Sequence, residues 1–183
     1  MAEQEIPIHY VCTHDQAKEL INKNKNFWVS NCGCREGNEK GCQRSRIDVC
    51  LMFDEGEGSS GSNKKAVDRI FVDGIMQETT DKNLVARPFR NEARTETSGI
   101  CFCCDDCCGY FAEDNKYTCD KGKYIEKTDI VQCTHCGVCV DVCYFGARTM
   151  KDDKLTINRD NCYGCGLCVT VCPEKCIKMV ERR

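Results

Sequence analysis

The sequence predicts an α+β chain organised around metal-bound thiolates. It divides into a cysteine-rich N-terminal module, residues 1–127, and a smaller pseudo-twofold domain, residues 128–183. Three observations carry this. Cysteine occupies 20 of 183 positions, too many for a hydrophobic core alone to be holding the fold together. Residues 133–143 and 162–172 repeat one cysteine-spaced pattern. The rest alternates short helix and strand signals with glycine-rich loops.

The cysteine count fits either an oxidising compartment with disulfides or a reducing one with metal thiolates. Residues 1–10 (MAEQEIPIHY) lack the basic start and apolar run of a signal peptide. No uncharged stretch is long enough to span a bilayer. A cytoplasmic, reducing setting and metal ligation are therefore expected. The formal charge of −3 is spread along the chain without a basic block, which argues against nucleic acid. Each cubane held by four thiolates would add roughly −2, so a docking partner is expected to present a basic patch.

Element by element, Thr13 and Gln16 form a capping-box pattern. Ala17, Leu20 and Ile21 then share one helix face to about Lys23, and polar residues 22–26 stop the helix. Phe27, Trp28 and Val29 suggest a strand or buried approach, and Leu51, Met52 and Phe53 an apolar plug. Residues 54–65 (DEGEGSSGSNKK) suggest a flexible surface loop. Residues 67–75 alternate imperfectly, a weak strand pattern. Residues 76–98, interrupted by Pro88, carry no clear pattern, and residues 109–127 suggest a polar connector. Leu155, Thr156 and Ile157 after the turn at residues 151–154 predict one arm of a hairpin.

Both C-terminal repeats read C-x2-C-x2-C-x3-C, and the second adds Pro173. Three thiolates within seven residues wrap three corners of one cubane, and the fourth reaches past the turn to the other. One [4Fe–4S] cluster should then take Cys133, Cys136, Cys139 and Cys172, and the second Cys162, Cys165, Cys168 and Cys143. Gly137 and Gly166 suit close approach of backbone to sulfide. Val138, Val140, Val142, Leu167, Val169 and Val171 would shield the clusters. Zinc is the alternative for paired C-x2-C units, but eight thiolates overshoot one zinc site.

These motifs make residues 128–180 resemble a bacterial-type two-cluster ferredoxin. The resemblance implies two short helices, two hairpins and low-potential one-electron transfer. Tyr144 stands where the second repeat has Pro173, which puts the form of the turn after Cys143 in question.

In the N-terminal module, Cys32, Cys34, Cys42 and Cys50 follow the spacing C-x-C-R-x6-C-x7-C. Four thiolates in so short a loop suit a third cubane, with a structural zinc site as the alternative. Arg35 could donate to sulfide or thiolate; otherwise it would make a surface salt bridge. Residues 10–53 also resemble the N-terminal module of a group of multi-cluster, polyferredoxin-like iron–sulfur proteins of anaerobes. The matching positions are Asn31 to Arg35, Cys42, residues 50–53 and residues 100–109. That resemblance implies electron transfer rather than a particular reaction.

The densest segment holds Cys101, Cys103, Cys104, Cys107 and Cys108. Free thiols so close invite oxidation unless buried or metal-bound. Adjacent cysteines point in different directions, so one cluster does not readily use them all. Three readings stay open: a fourth cubane with Cys119 or Cys12 as remote ligand, an unusual cluster that itself reduces a substrate, or a zinc knot. Asp105 and Asp106 are expected to be solvated turn residues.

Among the remaining candidates, His135 should be exposed and tune the local field when protonated. Cys176 should pack as a small hydrophobe, Trp28, Tyr144 and Tyr163 should shield clusters, and His9 and His14 should be ordinary polar residues. No phosphate loop, dinucleotide fingerprint or triad spacing is present. The sequence thus points to an electron-transfer subunit of a larger oxidoreductase complex, working between electron donor and acceptor proteins, with no nucleic acid as partner.

Overall fold

A computed structural model describes residues 6–56, 61–111 and 119–183. Its larger body is a seven-stranded mixed sheet in the order β4-β2-β3-β6-β5-β1-β7. The strands are β1 (His9–Tyr10), β2 (Phe27–Ser30), β3 (Cys50–Met52), β4 (Lys65–Val67), β5 (Val85–Arg90), β6 (Thr97–Cys103) and β7 (Cys119–Asp120). Every pairing is antiparallel except β1 with β7.

Two helices contribute to the core of this body. In α1 (His14–Lys23) the capping box forms as expected: Thr13 accepts from the Gln16 N–H and the Gln16 side chain accepts from the Thr13 N–H. Helix α3 (Arg69–Asp81) corrects the strand reading of residues 67–75. Asp68 caps it by accepting from Phe71 N at 2.8 Å, and Val72, Ile75, Met76 and Thr79 fall on one buried face at helical spacing. Val72, Ile75 and Met76 join Ala17, Ile21, Phe27, Val29, Leu51, Ala86, Ile100 and Phe102 in the main core.

Strand alternation decides where the thiols go. Successive side chains on a strand point to opposite faces. Ile100 and Phe102 enter the main core, so Cys101 and Cys103 turn to the other face of β6. Leu51 enters that core, whereas Cys50 and Met52 cluster with Phe89, and Trp28 and Cys101 pack against them. Cys12 bridges to Ala86 and is buried in the main core. The loop between β2 and β3 includes α2 (Gly33–Glu36), a single turn that carries Cys34 and Arg35. The low-complexity loop is described only outside residues 57–60, and β4 begins at Lys65, inside the segment read as loop. The polar connector is likewise described only outside residues 112–118.

The C-terminal domain contains β8 (Tyr124–Thr128), α4 (Val138–Asp141), β9 (Arg148–Lys151), β10 (Lys154–Ile157), α5 (Leu167–Val171) and β11 (Ile177–Glu181). The expected hairpin is β9–β10, and β8 pairs antiparallel with β11 to close the two ends of the domain. Gly137 and Gly166, each at φ +81°, begin the two short helices. That left-handed backbone is a stronger reason for glycine than space: a Cβ on Gly137 would meet nothing closer than Met150 at 3.7 Å. Val11 and Val85 of the larger body pack with Val142 and Leu167, joining the two parts.

Candidate iron–sulfur and metal-thiolate sites

In the C-terminal domain, Cys133, Cys136, Cys139 and Cys172 line one cavity, with Leu155, Cys176 and Ile177 around them. Cys143, Cys162, Cys165 and Cys168 line a second, closed by Val142, Phe145, Tyr163 and Met179. Each cavity thus gathers three thiols of one repeat and the last thiol of the other. The turns that deliver those last thiols match: Gly146 N donates to Cys143 O at 2.9 Å and Lys175 N to Cys172 O at 3.2 Å. Tyr144 in place of proline leaves the turn intact.

The chemistry of the donor set fits the clusters. Arg148, 2% exposed, donates from Nη1 to Cys139 Sγ at 3.3 Å. Its Nη2 donates to Glu126 Oε2 at 2.6 Å and to Thr128 Oγ1 at 2.8 Å. Arg159 Nε pairs with Glu126 Oε1 at 2.9 Å. A buried cation is costly unless anionic groups face it, and the sulfurs of Cys168 and Cys139, which would be thiolates in a bound cluster, face Arg148 beside the one carboxylate. When bound, the clusters supply a reversible one-electron couple. The chain's own part is to hold the thiolates, exclude water with apolar side chains, and aim N–H donors at sulfur.

His135 differs from expectation. It is half-buried at φ +55°, and its Nδ1 accepts from Leu155 N at 3.0 Å, which leaves any neutral-ring proton on Nε2. Cys176 is buried as expected, with its sulfur 3.5 Å from that of Cys172. Tyr163 stacks on Phe145 with centroids 4.4 Å apart. Tyr144 donates to Asn83 O at 3.1 Å and stands in the electrostatic reach of both Cys104 and Cys165.

Residues 132–176 match the family model of a 4Fe–4S dicluster domain. No curated protein sequence matches the chain. With the two cavities, the match defines this part as a ferredoxin-like iron–sulfur domain with a role in electron transfer. Among the described residues, no helix is long and apolar enough to cross a membrane.

In the larger body, loop thiols meet thiols of residues 101–108. Cys42 Sγ lies 3.6 Å from Cys104 Sγ, which lies 3.5 Å from Cys107 Sγ. Cys50 Sγ lies 3.8 Å from Cys101 Sγ, and Cys101 Sγ 3.8 Å from His9 Nε2. Cys34 is hydrogen-bonded to Cys108 and Cys32, and Cys103 to Cys108. The four thiols grouped by loop spacing are thus shared among different neighbours. The vicinal pairs divide: Cys104 and Cys107 face Cys42, whereas Cys103 and Cys108 face Cys34. Hydrogen bonds from Cys108 and Cys32 hold Cys34 far below an ordinary thiol, with Arg87 adding to them. The Cys108 hydrogen bond, then Arg87, hold Cys103 at about 7 against the opposing effect of burial.

Two buried arginines serve these thiols. Arg35 is 2% exposed, so it is not a surface residue. Its Nη1 donates to the Arg46 carbonyl and its Nη2 to Phe102 O at 2.8 Å, while its charge faces Cys32, Cys42, Cys104 and Cys107. Arg87 is 1% exposed. Its Nε donates to Cys119 Sγ at 3.4 Å, and its Nη1 to Cys108 Sγ at 3.7 Å and Cys103 Sγ at 3.8 Å. The guanidinium lies 3.6 Å from the Tyr110 ring centroid. Its Nη2 has no hydrogen-bond partner among the described residues.

Sequence reasoning missed Arg87, Arg148 and Glu126. The signal for Arg87 was a charge inside the apolar run Val85-Ala86-Arg87-Pro88-Phe89. His9 is also no ordinary polar residue: burial, then Arg87, lower its pKa to about 4. Asp105 pairs with Arg44 at 2.9 Å as a turn residue would, but Asp106 stands beside the thiols of Cys42, Cys104 and Cys107.

Proposed function

We propose that the chain is a multi-cluster iron–sulfur protein that relays single low-potential electrons within a larger oxidoreductase complex. Cubanes on Cys133, Cys136, Cys139, Cys172 and on Cys162, Cys165, Cys168, Cys143 form its C-terminal pair. A third iron–sulfur centre lies in the larger body beside Arg87, drawing on Cys34, Cys103 and Cys108, with Cys32 and Cys119 adjacent.

The observation that carries the third centre is the environment of Arg87. Its hydrogen-bonded partners are all sulfur. A guanidinium cannot shed its charge, and burying it without anions is strongly unfavourable. An anionic thiolate-bound cluster supplies the missing charge, and its sulfides are acceptors for the orphaned Nη2. The exposed Cys136 makes the first C-terminal cluster the more accessible of the two. Val138 within its cysteine run and Met150 beside Gly137, 43% and 41% exposed, suit a docking partner.

Anaerobic purification followed by iron and acid-labile sulfide counts tests this reading. Three cubanes give about twelve of each per chain. A count of about eight, with Arg87→Met leaving it unchanged, would confine electron transfer to the C-terminal pair.

A further inference from the structure

Cys42, Cys104, Cys107 and Asp106 converge differently from the C-terminal thiols. One ligand atom from each lies within 4.8 Å of every other, and among the described residues no other set of three or more His, Cys, Asp or Glu donors does so. The eight cysteines of the dicluster domain do not meet that condition. A cubane spreads its four thiolates over four iron atoms, so its ligands line a cavity. Ligands of a single ion share one centre. With zinc–sulfur bonds of about 2.3 Å, tetrahedral geometry puts sulfurs about 3.8 Å apart. The separations here are 3.6 Å for Cys42–Cys104 and 3.5 Å for Cys104–Cys107.

We propose that these four residues bind one tetrahedral zinc ion, separate from the iron–sulfur centres. Cys104 and Cys107 form a C-x2-C unit, the spacing that presents two thiolates to one ion, and Cys42 supplies the third from across the fold. Asp106 completes the set. Its Oδ2 already accepts from Gln43 N at 2.8 Å, an outer contact that orients the carboxylate. Three thiolates and a carboxylate around a divalent ion leave a net charge of about −2, and the buried Arg35 faces three of them. The ion ties the loop carrying Arg35 to the segment after β6. It leaves Cys103 and Cys108, the other members of the vicinal pairs, for the centre beside Arg87. The inference rests on metal–thiolate chemistry in this body but not on a third iron–sulfur cluster.

The test uses the full chain, purified anaerobically, with zinc, iron and sulfide counted together. The wild type should carry about one zinc per chain, and its zinc-edge absorption fine structure should show three sulfurs at about 2.3 Å and one oxygen at about 2.0–2.2 Å. Cys42→Ala should remove the zinc and leave iron and sulfide unchanged. Asp106→Asn, a change at an exposed turn, should cut zinc retained against a chelator at least about tenfold. Zinc-free wild-type protein would overturn the proposal, as would a Cys42→Ala variant that loses about four irons and four sulfides. A zinc-bearing protein with only about eight irons would uphold it while refuting the third iron–sulfur centre.

Discussion

Arg148 Nη1 stands 3.3 Å from the Cys139 sulfur while its other terminal nitrogen holds Glu126 at 2.6 Å. One guanidinium thus joins a thiol that lines the first C-terminal cavity to a carboxylate that is 2% exposed. Reduction adds negative charge to a cluster, and a cation hydrogen-bonded to a ligand stabilises that charge. Arg148→Gln should therefore lower the potential of the cluster that includes Cys139 by about 60 mV, the one-electron equivalent of about 1.4 kcal/mol. Glu126 keeps Arg159 as a partner, so the fold should survive. Protein-film voltammetry reads the shift; unchanged C-terminal potentials would show that Arg148 only props up the strands.

Arg35 makes a different case. Its terminal nitrogens go to the carbonyls of Arg46 and Phe102, not to sulfur. Arg35→Ala would orphan two carbonyls at a cost of about 2–4 kcal/mol, against about 0.5 kcal/mol or less for Arg69→Ala, whose pair with Asp73 is exposed. Thermal unfolding of anaerobically loaded protein should show a loss of about 5 °C or more for Arg35→Ala and almost none for Arg69→Ala. Equal midpoints would mean that the two hydrogen bonds of Arg35 contribute nothing net.

What the sequence made legible was local. The capping box at Thr13 and Gln16 placed α1, and the turn before Leu155 placed the β9–β10 hairpin. Residues 67–75 were misread because Ile70, Phe71 and Val72 look strand-like and Gly74 interrupts the helical pattern. Yet Asp68 as a cap, with Val72, Ile75, Met76 and Thr79 behind it, carried the helix signal. Pro88 interrupted the pattern of residues 76–98, but it sits within β5 opposite Ile100, where the other neighbour, β1, pairs only at Phe89. The repeated cysteine runs anticipated which C-terminal thiols line each cavity, because each group lies within one compact repeat pair. Which N-terminal thiols become neighbours was not legible. That depends on Leu51 pairing with Ile100, which brings the β3 end of the loop beside the 101–108 segment, and spacing along the chain does not encode that pairing.

His14 gives the fold a pH dependence with a definite sign. Its Nε2–H donates to Leu84 O at 2.8 Å. Burial, the largest influence, lowers its pKa from 6.5, and that hydrogen bond only partly offsets it. The folded state therefore favours the neutral ring. This contribution to stability is fully present above about pH 6.5 and is lost as pH falls through the lowered folded value. His14→Gln, which retains a side-chain donor, should flatten stability between pH 7 and pH 5 relative to wild type. Parallel denaturation curves at each pH check it, and an equally steep loss in the variant would assign the acid sensitivity to another group.

The crossed ligand sets can be tested without a new structure. Cys143 follows α4 and belongs by sequence to the first repeat, yet it lines the cavity of Cys162, Cys165 and Cys168; Cys172 follows α5 and lines the other. Two thiols that hold the same cluster should share one spectroscopic fate, whereas thiols on different clusters should act independently. Cys143→Ser and Cys162→Ser should each perturb the same component of the reduced-state electron paramagnetic resonance spectrum, and the double variant should lose little beyond either single one. Cys143→Ser combined with Cys133→Ser should instead damage both components, with effects that add. The same logic pairs Cys172 with Cys133 and separates it from Cys162. The first repeat makes the sharper case because Tyr144 replaces the proline that stiffens the second, while the Gly146 to Cys143 turn still forms. If Cys143→Ser instead proved redundant with Cys133→Ser and additive with Cys162→Ser, each repeat would hold its own cluster, and the exchange of fourth thiols between the cavities would be refuted.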